Sequence, residues 1–222
     1  MKPRTPKPGL GLILTGPKRR AKLMFGGPVA APNVGRKIWK IGPVLDQRET
    51  SACVGFAWTQ LLMSEPHPHV KVGFDFARQV YLDAQKRDEW AGEEPEYYGT
   101  TTEAGHAVLL TRGLVQKDLY WATTTGQIVQ HVISIGPVVM GTEWMSGMMR
   151  PDDQGYVRPT GFSEGGHAYL VYGAAAKQQE FWLVNSWGSS FGLSGKFKMS
   201  FDSMRKLLDR GGYGVSCLEE AK

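Results

Sequence analysis

At Gly136-Pro137 the chain changes its apolar period, and that change restricts the folds open to it more than any other feature. Before it, Val54, Phe56, Ala57, Trp58, Leu61 and Leu62 recur at helical spacing and make one broad face. Thr50 and Ser51 stand as candidate caps and Pro66 as a stop. Further helices are predicted over 75–86, over 102–112 with Thr100 to Glu103 as a capping box and Gly113 as a C-cap, and over 127–135. After it come short β-branched or aromatic runs at 138–142, 168–172, 181–185, 196–200 and 213–218, separated by glycine and polar turns. The order predicts an α+β protein with a helical lobe over about 45–135 and an antiparallel sheet or barrel lobe over about 136–218. A cleft between two such lobes is a usual place for a site.

Residues 1–38 follow neither period and are rich in Pro, Gly and Lys/Arg, so they read as an extended arm ahead of a body over 39–222. The first 40 residues hold 10 of the 26 Lys and Arg and none of the 21 Asp and Glu, which leaves the rest of the chain at −5. Two partners suit such an arm. One is a polyanion or nucleoprotein surface, which is the favoured expectation; the other is the acidic body itself, with the arm laid over the cleft as a short pro-segment or strap.

Two cysteines in 222 residues do not make a disulfide framework, which leaves Cys53 a thiol and points to a reducing compartment. No apolar run is long enough to span a membrane. The run Leu10 to Leu14 and the broken stretch after Arg19-Arg20 are poor export signals, so the expected location is cytoplasmic, in a host cell or a virion if the protein is viral. No cofactor is expected. His67-Pro-His69 lacks a third ligand, so no metal is expected either.

Three segments carry the chemistry. In Gln47-Arg-Glu-Thr-Ser-Ala-Cys53-Val-Gly, a polar loop runs into an apolar helix with a cysteine at the junction. Unpaired N–H groups and the positive end of the helix dipole favour a thiolate there. In Glu164-Gly-Gly-His167-Ala-Tyr, a histidine opens an apolar strand behind a glycine pair that lets a backbone approach closely. In Phe181-Trp-Leu-Val-Asn185-Ser-Trp187-Gly188, a strand ends in an amide able to fix an imidazole tautomer, with an indole beside it to exclude water. Taken singly, these read as a buried thiol, a hydrogen-bonded histidine and a turn asparagine.

Their joint occurrence in this order resembles the papain-like cysteine peptidases. Gln47 stands six residues before Cys53, Gly166-His167-Ala168 resembles the segment bearing the base, and Asn185-Ser186-Trp187-Gly188 resembles the family's Asn-Ser-Trp-Gly block, over a span from about Ile41 to Cys217. The resemblance implies that Cys53 attacks an acyl carbon, that His167 moves the proton, that Asn185 orients His167, and that Gln47 with the Cys53 N–H holds the oxyanion. It further implies a substrate-binding cleft at Gly99, Gly166, Trp187, Met140 and Gly141, with a peptide or protein as substrate. Met140, with Met145, Met148 and Met149, is equally open to a role in core packing. Where many relatives carry a disulfide-bonded cysteine and a Cys-Trp pair, this chain has Thr50 and Cys53-Val54, and its arm is far shorter than a helical inhibitory pro-domain. Two alternatives stay open: an amidase, transferase or deconjugating enzyme with the same thioester chemistry, and a structural component of a virion or nucleoprotein assembly.

Overall fold

The computed structural model describes residues 9–18, 21–27, 30, 35–66, 72–91 and 98–217. His67 and His69 lie outside them, as do several of the arm's cationic residues, among them Arg19 and Arg20. In chain order the elements are β1 (Lys22–Leu23), β2 (Arg36–Ile38), α1 (Cys53–Leu62), α2 (Phe74–Gln85), α3 (Thr102–Thr111), β3 (Tyr120–Ala122), α4 (Thr125–Ser134), β4 (Val138–Met145), β5 (Ser163–Ala175), β6 (Glu180–Val184), β7 (Lys196–Ser200), α5 (Phe201–Leu208) and β8 (Tyr213–Ser216). The strands form one sheet in the order β1-β3-β8-β4-β5-β6-β7, with β2 also on β5. All pairings are antiparallel except β1 with β3. No helix among the described residues is long and apolar enough to cross a membrane.

Every residue of α1 is buried, so it runs as a central rod with α2 and α3 on one side and β4 and β5 on the other. Gly55 permits the approach of α2, since a Cβ there would lie 2.2 Å from the Ala77 carbonyl oxygen. Backbone cannot yield as a flexible side chain does. Gly55→Ala is therefore expected to destabilise the fold by about 1–3 kcal/mol, read as a lower urea midpoint at unchanged m-value.

The caps differ from expectation in ways that matter for the site. Thr50 and Ser51 do not cap α1; its N-cap is Ala52, with no side-chain bond. The Thr50 hydroxyl instead closes a turn on the Gln47 carbonyl at 2.6 Å, so no side chain caps the first N–H groups of α1. The cap of α3 is Thr101, accepting from the Ala104 N–H at 3.1 Å. α4 starts two residues earlier than predicted, behind a capping box in which Thr124 and Gln127 each accept from the other's backbone N–H. α5 and the short strands β1 to β3 complete the set.

The arm is not detached from the body. β1 pairs with β3, and β2 extends the sheet on β5, so the boundary expected at residue 38 falls inside the sheet.

Candidate active site

Cys53 opens α1 and is fully buried. Backbone N–H groups of Cys53, Val54, Ala168 and Gly11 surround its sulfur and favour a thiolate, but burial outweighs them and pushes the thiol up to about 12.

His167 lies on β5 opposite Thr142 of β4. Its Nε2 is 2.8 Å from Asn185 Oδ1. That oxygen also accepts the Ser186 N–H at 2.8 Å, which fixes the amide orientation and makes Nε2 the donor. Nδ1 is thereby the unprotonated nitrogen of the neutral ring, and it has no hydrogen-bond partner. Burial, partly offset by the bond to Asn185, lowers the imidazole to about 4, so thiol and imidazole are both neutral around pH 7. The Trp187 ring lies 4.9 Å from the imidazole at 33°, and the Trp144 ring lies at the same distance at 74°.

Gln47 is tied into the same centre. Its N–H donates to the Ser186 carbonyl at 2.7 Å, its Oε1 accepts from the Ser186 hydroxyl at 2.5 Å, and its Nε2 donates to the Thr50 carbonyl at 2.6 Å. An amide Nε2 carries two hydrogens, so one remains for a ligand. Ser186, inside the Asn-Ser-Trp-Gly block, holds the Gln47 side chain, a contact that sequence reasoning passed over.

A segment of the arm fills the cleft between these groups. The Trp187 indole donates to the Gly9 carbonyl at 3.0 Å. Gly11 and Leu12 both donate to the Gly166 carbonyl at 3.1 Å. Thr100 donates to the Gly11 carbonyl at 3.0 Å and accepts from Ile13 at 2.9 Å, in a parallel bridge. The Thr15 hydroxyl reaches both carboxylate oxygens of Glu103 at 3.0 and 3.1 Å. Leu10 and Leu12 are buried, one in each of the two main apolar cores. Between them only glycine fits, because a Cβ on Gly11 would stand 1.9 Å from the Ser51 carbonyl oxygen.

Four of the five expected cleft residues meet this segment: Trp187 through its indole, and Gly99, Gly141 and Gly166 through close approach to Gly11 or Leu12. Met140 does not. It alternates with Gly141 to the opposite face of β4 and packs in the core of the sheet lobe with Met145 and Met148, while Met149 is partly exposed.

Two packed lobes with a buried thiol at a helix start, facing a sheet that carries a histidine and its amide partner, define an α+β protein of the cysteine-peptidase class. A family model described as papain family cysteine protease matches residues 71–208. No curated protein matches the chain by sequence. Among solved structures, xylellain, a cysteine protease from Xylella fastidiosa, superposes with a TM-score of 0.71 at 16% identity over 100% of both chains. Procathepsin B from Trypanosoma congolense gives 0.60 at 10% identity over 94% of this chain and 87% of that one. Digestive procathepsin L 3 from Tenebrio molitor gives 0.55 at 12% over 97% and 76%. The chain belongs to the papain family, and it is a cysteine peptidase. The family match begins beyond Gln47 and Cys53.

Proposed function

We propose that the protein hydrolyses peptide bonds through a thioester on Cys53, and that residues 9–15 hold it latent until they leave the cleft. The carrying observation is the His167 Nε2–H···Oδ1 Asn185 bond, which leaves Nδ1 as the basic nitrogen while the thiol lies at the amide of the next residue, Ala168. With the cleft open, the thiol proton passes to Nδ1 and the sulfur attacks the acyl carbon. Charge on the carbonyl oxygen is met by the Cys53 N–H and the second Gln47 N–H. Collapse breaks the C–N bond, and the amine takes the proton from Nδ1. Water then attacks the thioester, with Nδ1 taking its proton and returning it to the departing thiolate. Gly99, Gly141, Gly166 and Trp187 form the peptide-binding walls.

Latency follows from how the arm is bonded. The Gly11 carbonyl accepts from the Thr100 N–H and the Gly11 N–H donates to the Gly166 carbonyl, so the segment is bonded along its backbone to both walls of the cleft. The polyanion reading keeps its warrant in the arm's charge, although Lys22, one of its cations, pairs with Asp118 at 2.6 Å.

An epoxysuccinyl probe followed by mass spectrometry tests the nucleophile. Label on Cys53 is expected, and label confined to Cys217 would sink the assignment. Gln47→Ala is expected to lower kcat on the order of 10²–10³-fold, the usual loss for one oxyanion donor, while Cys53 still alkylates. Unchanged kcat would remove Gln47 from the oxyanion site.

A further inference from the structure

Trp144 belongs to none of the motifs, yet it is the hub of the catalytic wall. It stands on β4 two residues beyond the register partner of His167, and so on the same face of the sheet as His167. It is fully buried. Its ring contacts His167 at 4.9 Å and Trp187 at 5.3 Å, both near edge-to-face, and is backed by Tyr169 at 5.6 Å and Phe197 at 5.8 Å. Asn185 grips the imidazole at one nitrogen only, and one hydrogen bond leaves a ring free to tilt about that contact. Trp187 supplies one aromatic surface against that tilt, and Trp144 supplies a second, nearly perpendicular one. Leu10 of the arm is buried in the same apolar cluster, so when the arm leaves, that side of the cleft loses a packing partner and Trp144 remains as the fixed wall.

We propose that Trp144 is a positioning residue for the peptidase reaction: it fixes the His167 ring in the orientation that presents Nδ1 to Cys53 and keeps water from the His167–Asn185 bond. This rests on His167 being the base. A dry surround strengthens the attraction of the protonated ring to the thiolate. Among the described residues, the titratable group in ring contact with His167 is the Tyr169 phenol on β5, which bonds Thr142; the Cys53 thiol of α1 lies at the backbone N–H of Ala168, the next residue, and interacts electrostatically with the Tyr81 phenol of α2. The nearest carboxylates along the strands are Glu143, paired with Arg210 at 2.6 Å, and Glu164.

Loosening the ring weakens the thiolate–imidazolium pair. The thiolate then forms only at higher pH and the imidazolium survives only to lower pH, so the bell-shaped profile narrows from both sides. In the full-length protein, Trp144→Leu is expected to bring each limb of kcat/KM inward by roughly half a unit to one unit. It is also expected to lower kcat about tenfold, with KM changed less than about twofold. Trp144→Phe, which keeps a ring against His167, is expected to restore limbs close to those of the parent. If Trp144→Leu does not fold, Trp144→Met gives the same readout from a side chain nearer in volume. A folded Leu or Met variant with parental limbs overturns the proposal and leaves Trp144 a packing residue. A parent with no bell-shaped profile overturns the assignment of His167 instead.

Discussion

Removing residues 1–18 is expected to raise hydrolysis of peptide substrates at least about tenfold and to speed alkylation of Cys53 at neutral pH. The cut is placed before Lys22 because β1 and β2 are part of the sheet, and a deletion to residue 38 would mix arm release with strand loss. With the arm seated, Cys53 is buried and burial pushes its thiol up to about 12, so near pH 7 it is held as the thiol. Once the arm is gone, water and the imidazolium reach the sulfur, the thiol falls below the usual thiol value, and reaction with iodoacetamide persists into mildly acidic solution. The sign follows from burial. It penalises the thiolate and the imidazolium alike, and opening the cleft relieves both penalties together. Unchanged hydrolysis, together with loss of salt-sensitive heparin or DNA binding, would instead support docking of the arm on an external polyanion.

Cys53→Ala is expected to abolish turnover while leaving the far-ultraviolet spectrum and the unfolding midpoint close to those of the parent. Neither neighbouring hydroxyl stands in for the thiol as acyl acceptor: Ser51 precedes α1, and the Ser186 hydroxyl is committed to Gln47. Alanine already occupies the neighbouring buried position 52, and the loss of one sulfur from a packed site costs little of the fold. His167→Ala should lose nearly as much activity, since the proposed base is gone. Hydrolysis by Cys53→Ala at the parental rate would rule out the mechanism.

How far this could be read from the sequence depended on whether a residue's role was local. Cys53, His167, Asn185 and Gln47 stood out because each stands at a junction of elements beside the residues its chemistry needs; in the structure all four are buried, His167 bonds Asn185, and Gln47 bonds Ser186, the residue next to Asn185. The period change at Gly136-Pro137 likewise located the helices and the main strands, because burial on one face imposes the period. α5 was missed although Ser200 caps it and Phe201, Met204, Leu207 and Leu208 share a face; a stretch of eight residues gives a weak periodic signal. The seat of the arm over the cleft was read only as the second choice, behind an external polyanion. Gly9-Leu10-Gly11-Leu12 alternates as a strand does, but what buries the leucines is two cores assembled from residues far along the chain. Trp144 escaped for the same reason, since its neighbours are neighbours only once β4 and β5 pair.

The parallel pairing of Lys22–Leu23 with Tyr120–Trp121 ties the chain down only a few residues beyond the last cleft contact at Thr15. If residues 9–15 hold the enzyme latent as proposed, dissociation of that segment never makes it a separate molecule. It stays on a short leash, at an effective concentration of order millimolar, and recloses as a first-order event whatever the protein concentration. Dilution cannot wake such an enzyme, and a competing peptide must outbid that local concentration, so a single chain break between residues 15 and 22 changes the kinetic order of inhibition from one to two.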